Sequence, residues 1–525
     1  MDKPVSSLVT KERRNMTGII TDTDRDRLAR RGITEEDVLN QIKRLTGSPC
    51  YFRLNRPCTV DDGIARYGPD DEKKYIATYD GAVSRIRVTA FVPASGAASR
   101  MFRSWFQFSA QRDFIGTVEA RTFAKELPLY AFYEHLASVI AENGDSLDRL
   151  LVDGAYVTIL DYILTSRGLN YGHLPKALIL FHRYPTASRT SLEEHLVEAA
   201  RYVDGSGTSR LHITVSPEHR DDVHKLLTAV TPAYEKMCTT VYDIGLSVQH
   251  PSTDTIAVDM RNIPVRDERG NLVLRPGGHG ALLKNLSDID ADIIFMKNID
   301  NIVPDRLKET TVRYRKMLGG VLISLRDEVF RLTTALEHDP PQGVIDEAVS
   351  FGRERLAITF PRGFETRSSG DQRRWLFDRF DRPLRVCGMV KNEGEPGGGP
   401  FWVEEEGGRL SLQIIEKAQV DDASPAQQAI MDRATHFNPV DIACSITSLT
   451  GEAYDLARYV DPSTFIVTQK SRNGQDIKAL ERPGLWNGAM AGWNTVFVEV
   501  PAATFNPVKE IRDLLRAEHR TDARN

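Results

Sequence analysis

Short apolar runs, each followed by a turn and then by an amphipathic stretch, are what most restrict the fold of this chain. They lie at residues 86–92, 211–216, 244–249, 255–258 and 291–296. Apolar or alternating runs this short read as strands, and the stretches between several of them carry helical spacing. Strands separated by helices pair in parallel, because a crossover returns the chain to the edge it started from. The expectation is an α/β layered domain with a mixed, mostly parallel sheet. Such sheets bind ligands beyond the C-terminal ends of their strands, so the residues that follow each run are the first candidates for function.

Two of these strand exits carry suggestive chemistry. After 86–92 the chain breaks at Pro93 and passes through Ala94-Ser95-Gly96-Ala97-Ala98-Ser99. Arg100 follows, and Met101-Phe102 opens a helix. A strand, a small-residue turn and a helix N-terminus together present backbone N–H groups to a phosphate, and Arg100 would add a fixed positive charge. On spacing alone, an ordinary β–α turn is the plainer reading. After 291–296 comes Lys297-Asn298-Ile299-Asp300-Asn301. A carboxylate delivered there suits a metal ion, and equally suits a cap for a helix beginning near Pro304. A second glycine-rich turn, Arg275-Pro276-Gly277-Gly278-His279-Gly280, precedes that strand.

Other segments read as follows. Thr21 and Thr34 cap helices, and the spacing predicts helices over 123–143 and 146–164. Thr190 with Glu193 forms a capping-box pattern. A long helix or helix pair spans 305–337, a hairpin joins 401–403 to 410–416, and another turns at Asn473-Gly474 within 470–481. A final helix is expected over 510–519, between a tail at residues 1 to about 20 and a short polar C-terminal tail. The expected divisions are an N-terminal helical extension (1–80), a core (81–340) with a helical insertion at 103–170, and a C-terminal α+β region (341–525) contributing to the site. A net charge of −5 gives no general attraction to nucleic acid or anionic membrane, so an anionic ligand needs a local site. The five cysteines are scattered without a C-x-x-C pair, and no apolar run approaches a membrane span. A cytoplasmic protein of open oligomeric state is expected.

Taken in order, several of these motifs resemble those of sugar nucleotidyltransferases, most closely UDP-sugar and UDP-N-acetylhexosamine pyrophosphorylases. Ser95-Gly96-Ala97-Ala98-Ser99-Arg100-Met101 resembles the family's G-x-G-T-R loop. Leu174-Pro175-Lys176 resembles its P-K motif, and Thr214-Val215-Ser216-Pro217 the strand end after it. The turn at 275–280 is similar to P-G-G-N-G, Ile299-Asp300-Asn301 to V-D-N, and Phe505-Asn506-Pro507-Val508-Lys509 to a late S-P-L-K segment. The whole set also resembles the DUF4301 family, over nearly the entire chain. Three departures stand out: Ala97-Ala98 where glycine and threonine are usual, a long gap between Arg100 and Lys176, and His279 in place of asparagine.

The resemblance implies a GT-A-like, Rossmann-type nucleotidyltransferase core. It implies transfer of a nucleotide, uridylyl first among the candidates, from a nucleoside triphosphate to a sugar 1-phosphate or similar phosphorylated metabolite, with release of pyrophosphate. Arg100, Lys176 and Lys509 would be the catalytic cations. Ser95, Gly96, Ala97, Ser99, Gly277, Gly278, His279, Gly280, Asn301 and Asn438 would line the nucleotide and sugar sites. Asp300 would hold Mg²⁺, with Asp441 and Glu416 weaker candidates for a second metal ligand or a sugar hydroxyl. Small-molecule partners are implied, without nucleic acid or membrane. Two rivals stay open. One is a catalytically silent nucleotide-sugar binding or regulatory protein, motivated by the altered first loop. The other is a GT-A glycosyltransferase, for which the 298–301 segment lacks two suitably spaced carboxylates.

Overall fold

The computed structural model describes residues 20–47, 50–96, 98–110, 117–394, 397–405, 407–472 and 475–521. The expected N-terminal tail up to residue 19, Ala97, the Asn473-Gly474 turn and residues 522–525 lie outside the described residues. The central sheet has ten strands. In chain order they are β1 (Thr59–Val60), β2 (Gly63–Ala65), β3 (Val88–Pro93), β4 (Thr208–Val215) and β5 (Val241–Val248), then β6 (Ile293–Met296), β7 (Leu384–Lys391), β8 (His436–Phe437), β9 (Ile442–Ser445) and β10 (Asn494–Glu499). Their order across the sheet is β1-β2-β10-β7-β9-β6-β3-β4-β5, with β8 paired to β7.

Along that path every neighbouring pair is parallel except the two made by β9, which runs antiparallel between β6 and β7. The expected α/β class with a mixed, mostly parallel sheet is therefore what the chain forms. Because β9 is reversed, β3, β4, β6, β7 and β10 all end at one edge, and β9 begins there. Ile293, Phe295, Val88, Ala90, Val92, Leu211 and Ile213 point into one continuous core. Each side chain of that size contributes roughly 1.5–3 kcal/mol when fully buried. The sheet takes strands from all three expected divisions of the chain, residues 59–65, 88–296 and 384–499.

The helix Lys308–Glu337 is one continuous element of 30 residues, and lies against the helix Pro69–Ala82. A Cβ on Gly320 would come within 1.8 Å of the Tyr75 carbonyl oxygen, so glycine is what lets the two backbones meet. The insertion folds as a helical block with its own aromatic core of Trp105, Phe123, Tyr130 and Phe132. The chain's last segment adds Val508, Ile511 and Leu514 to that core. A four-stranded antiparallel sheet, built from Leu274–Arg275, Thr255–Asp259, Gln475–Glu481 and Ile466–Arg472, receives the N-terminal helices through Ile20, Leu28, Val38 and Ile42. No helix among the described residues is long and apolar enough to cross a membrane.

Several local expectations fail for physical reasons. The helix predicted over 123–143 is two helices, Val118–Glu126 and Tyr133–Glu142, separated by a tight turn through Pro128. Proline lacks the N–H that would continue the ladder. The 146–164 helix likewise divides, at Asp153-Gly154, into Leu147–Val152 and Tyr156–Leu164. The strand at 255–258 exists, but it pairs antiparallel with Leu274–Arg275 and Gln475–Glu481 and not with the central sheet. The final helix is replaced by two 3-10 turns, Ile511–Leu515 and Ala517–His519. There the Asp513 carboxylate accepts hydrogen bonds from the Lys509 and Glu510 N–H groups, and Arg306 draws the Ala517 and Arg520 carbonyls outward.

Candidate functional site

At the C-terminal edge of the sheet, four segments distant in sequence meet. β3 ends and the first loop turns away, its Ala94 N–H donating to the Thr214 carbonyl at 2.8 Å. The loop is then stitched to the segment before Lys176: the Ala98 N–H donates to Leu174 O at 3.0 Å, and the Lys176 N–H to Gly96 O at 3.3 Å. Ser95, Gly96, Ser99 and Arg100 are exposed, while Ala98 is buried beneath them. The segment after β6 meets the chain's C-terminal strap, where the Val508 N–H donates to Asp300 O at 3.0 Å. The strap continues under the first loop, with the Ile511 N–H on Met101 O at 3.1 Å.

These contacts bring three charges together. Lys176 Nζ lies 2.7 Å from Asp300 Oδ2 and 2.7 Å from the Val508 carbonyl. Lys509 Nζ lies 3.4 Å from the same carboxylate oxygen. Asp300 Oδ1 is buried with no hydrogen-bond partner. Burial pushes the Asp300 carboxyl up, but the two ammonium groups outweigh it and hold the group below its ordinary range. Burial also lowers Lys176, against the pull of Asp300, with Lys509 and Arg100 adding repulsion. Lys509 is half-exposed, with 51% of its side chain accessible, whereas Lys176 is nearly buried. Asp300 does not cap a helix, since the next one begins at Lys308.

Sequence motifs that the resemblance groups together are thus contiguous in space: Ser95, Gly96 and residues 98–100 with Lys176, Asp300 and Lys509. Asn301 is beside them but is engaged by the strap. Its Oδ1 accepts from the Asn506 N–H at 2.9 Å and its Nδ2 donates to Thr504 O at 3.3 Å. Asn438 is used internally as well, donating to Gly388 O at 3.1 Å and accepting from the Val440 N–H at 3.1 Å. That second bond supports Val440 at φ 60, an unusual backbone for a β-branched residue.

Asp441 stands apart from the Asp300 cluster. Its Oδ1 lies 2.8 Å from Arg315 Nη2, and both side chains are almost wholly buried. Next to it Lys297 Nζ makes 2.6 and 2.9 Å bonds to the two Glu198 oxygens. Burial lowers Lys297 to about 8, with Glu198 pulling the other way. Sequence reasoning passed over this buried set. Glu194, His195 and Glu198 share the helix Ser191–Ala199, every residue of which is buried. Charged side chains on a short helix read as a solvated face, and nothing local says otherwise. His195 Nε2 donates to the Ile299 carbonyl at 3.2 Å, supporting the chain one residue before Asp300.

The second glycine turn is held by a separate set of contacts. The Arg482 N–H donates to Gly277 O at 2.9 Å, and a Cβ on Gly280 would fall 2.0 Å from the Pro483 carbonyl oxygen. Gly278 sits at φ +74 beside Glu481. His279 stacks on Trp486 at 4.3 Å, and its Nδ1 accepts from the Leu485 N–H at 3.1 Å. That bond leaves the proton of the neutral ring on Nε2, which lies 4.0 Å from Glu416 Oε1. Burial lowers His279 and raises Glu416, the latter with help from Glu481. Along this edge Thr214 Oγ1 near the end of β4, Ser216 Oγ just after it, Gln249 Nε2 after β5 and Asn285 Oδ1 are also buried without a hydrogen-bond partner.

The sequence profile of DUF4301, described as a domain of unknown function, matches residues 21–520. A search of curated protein sequences gave no match. Among solved structures, this chain is similar to the UDP-N-acetylglucosamine pyrophosphorylase of Trypanosoma brucei, with a TM-score of 0.48 and 12% identity over 91% of this chain and 74% of that one. It is similar also to a UDP-glucose phosphorylase of Trypanosoma brucei (TM-score 0.45, 13% identity, 94% and 77% covered) and to the UDP-glucose pyrophosphorylase of Leishmania major (TM-score 0.44, 12% identity, 95% and 78% covered).

Proposed function

The chain belongs to the DUF4301 family, and from that premise we propose that it transfers a nucleotide, uridylyl first among the candidates, from a nucleoside triphosphate to a sugar 1-phosphate or a similar phosphorylated metabolite. The observation that carries this reading is the meeting of Lys176, Lys509 and Asp300 beside the loop that exposes Ser95, Gly96, Ser99 and Arg100. In the reaction an oxygen of the acceptor phosphate attacks the α-phosphorus. The bond from that phosphorus to the bridging oxygen breaks, and pyrophosphate leaves with the electron pair. The acceptor is already an anion, so no general base is needed. What the protein must supply is alignment and neutralisation of charge.

The chain's own groups divide that work. Loop N–H groups and Arg100 would hold the terminal phosphates of the triphosphate. Lys176 would face the α-phosphate, and Lys509, being half-exposed, the incoming acceptor. Ser216 and Gln249, with unpaired polar atoms at the exits of β4 and β5, would hold the nucleoside, and the turn bearing His279 with Glu416 the sugar. Asp300 fits Mg²⁺ in one respect, the unpartnered Oδ1. No group of three or more His, Cys, Asp or Glu among the described residues could cage a metal, which suits an ion held mainly by phosphates. When bound there, Mg²⁺ would neutralise phosphate oxygens as charge moves to the leaving group.

The test is pyrophosphate release from each common ribonucleoside triphosphate, in Mg²⁺, against a panel of sugar phosphates. Release with one pair supports the reading; a folded protein that turns over none counts against it. One observation favours binding without turnover: Lys176 and Asp300 already satisfy each other, so a substrate must displace that bond. Thermal stabilisation by UTP with no pyrophosphate released would select that second reading.

A further inference from the structure

The opposite edge of the sheet carries a cleft whose lining mixes three arginines with five carboxylates, and beside it a smaller cavity whose charged lining is Arg379, Arg382 and Glu405. The helix Ser369–Phe380 ends there, just before β7 begins. Arg379 and Arg382 come from that helix end, and Arg409 from the hairpin beside it. Arg382 is committed, with Nη2 on Asp378 Oδ2 at 2.9 Å and Nη1 on the Gly492 carbonyl at 3.3 Å. Arg409 is committed to Glu405 Oε2 at 2.9 Å.

Arg379 is different. Its guanidinium donates no hydrogen bond among the described residues, its Nε is buried without a partner, and Glu405 Oε2 is 3.9 Å away. Only 15% of the side chain is exposed, and it lies over the Trp375 ring at 5.6 Å from the centroid. Burial, joined by repulsion from Arg382 and Arg409, lowers this arginine to about 10. A buried charge with unmade hydrogen bonds is costly unless something completes it. Arg379 lines a cavity of about 70 Å³. Through Arg382, Glu405, Ser411 and Gly492 that cavity adjoins a cleft of about 730 Å³. Gln413, itself buried, lines the larger cleft with its Oε1 lacking a donor. An anion would complete the arginine, and a hydroxyl would complete the amide.

We propose that this cleft binds a small phosphorylated metabolite, with its phosphate on Arg379 and its hydroxylated body in the larger cleft against Gln413. A guanidinium's fork of donors matches phosphate oxygens, and such charge-assisted bonds are among the stronger ones. β7 is eight residues long, so roughly 25 Å of strand separates this edge from the Asp300 edge. A ligand here touches none of the Asp300 cluster, and the site stands whichever reaction that cluster performs.

Calorimetric titration of the full chain with inorganic phosphate and with a hexose 6-phosphate tests this, in the wild type, Lys176→Ala and Arg379→Gln. Arg379→Gln is expected to weaken, at least about tenfold, a phosphate-binding event that Lys176→Ala leaves in place. The hexose phosphate is expected to bind that site more tightly than inorganic phosphate. Titrations of Arg379→Gln that superimpose on the wild type overturn the proposal, as does a Lys176→Ala protein that binds no phosphate. Equal or weaker binding of the hexose phosphate overturns the placement of its body in the cleft. If Arg379→Gln loses its circular-dichroism signature of folding, Arg379→Lys replaces it. The lysine keeps the charge but not the fork of donors. It is expected to weaken phosphate binding several-fold, and unchanged affinity there also overturns the proposal.

Discussion

Asp300 follows β6 and Asp441 precedes β9, its neighbour in the sheet, so both carboxylates leave the same edge and both are buried. Their partners differ in kind. Asp441 faces Arg315 at 2.8 Å, close enough for an ion pair though not aligned as a hydrogen bond, and the guanidinium has no exposed surface. Asp300 faces two lysines, one of them half-exposed, and keeps one oxygen without a partner. An arginine sealed from water stays charged and stays put. A lysine that reaches solvent, as Lys509 does, can exchange a carboxylate for a phosphate. The two aspartates, of which the sequence offers Asp300 first and Asp441 as a weaker second metal ligand, thus differ in what their cations reach: Arg315 is sealed from water and Lys509 is not.

The comparison breaks most sharply on stability. Asp441→Asn removes the carboxylate paired with the buried Arg315, leaving the guanidinium the Tyr202 hydroxyl and the Met296 carbonyl, and should cost about 3–5 kcal/mol in denaturant unfolding. Asp300→Asn should cost less, because Lys509 reaches solvent. Equal losses would erase the distinction. In the pyrophosphate-release assay the ranking should reverse in meaning: Lys176→Ala and Asp300→Asn, still folded, should each lose roughly 10²–10³ in rate. Full activity in both would move the site elsewhere.

Acid should act on the fold and not on the Asp300 site. Burial lowers His195 and His519 to about 3, the former beside Lys297 and the latter beside His182. Both rings are neutral in the folded protein and take up protons on unfolding below the ordinary histidine value of 6.5. Stability is therefore complete above about pH 6.5 and falls with pH until the folded groups titrate near pH 3, by about 2 kcal/mol per histidine at pH 5. A melting curve for His519→Gln that is as steep in pH as the wild type would refute this. The smallest effect belongs to the most exposed cation. Lys509→Ala should weaken acceptor binding about tenfold, read as a raised KM, with little change in stability.

Much of this was legible in the residues. The capping box at Thr190 and Glu193 forms, as do those begun by Thr21 and Thr34, because a cap needs only neighbours three residues apart. Strands 88–93, 208–215, 241–248 and 293–296 follow from local apolar runs, and the 399–415 hairpin from its turn. The segments around Lys176, Asp300 and Lys509 could be picked out, and the fold places them together. Less legible was anything that depended on a distant partner. Helix 510–519 looks helical by pattern, yet Asp513 and Arg306 bend it into turns. Nothing in the local pattern marks Glu194 and Glu198 as buried, and Lys308 and Lys297, about a hundred residues away, make their burial tolerable.

The sequence by itself determined where strands, caps and phosphate-suited turns begin, since those depend on sterics and hydrogen bonds within a few residues. Only the tertiary structure decided which charges meet. Whether a carboxylate is a lock or a working group depends on the depth and mobility of its counter-ion. For Asp300 and Asp441 the counter-ions are set by the reversed strand β9, which places Asp441 against the sealed Arg315, and by the C-terminal strap, which brings the half-exposed Lys509 beside Asp300.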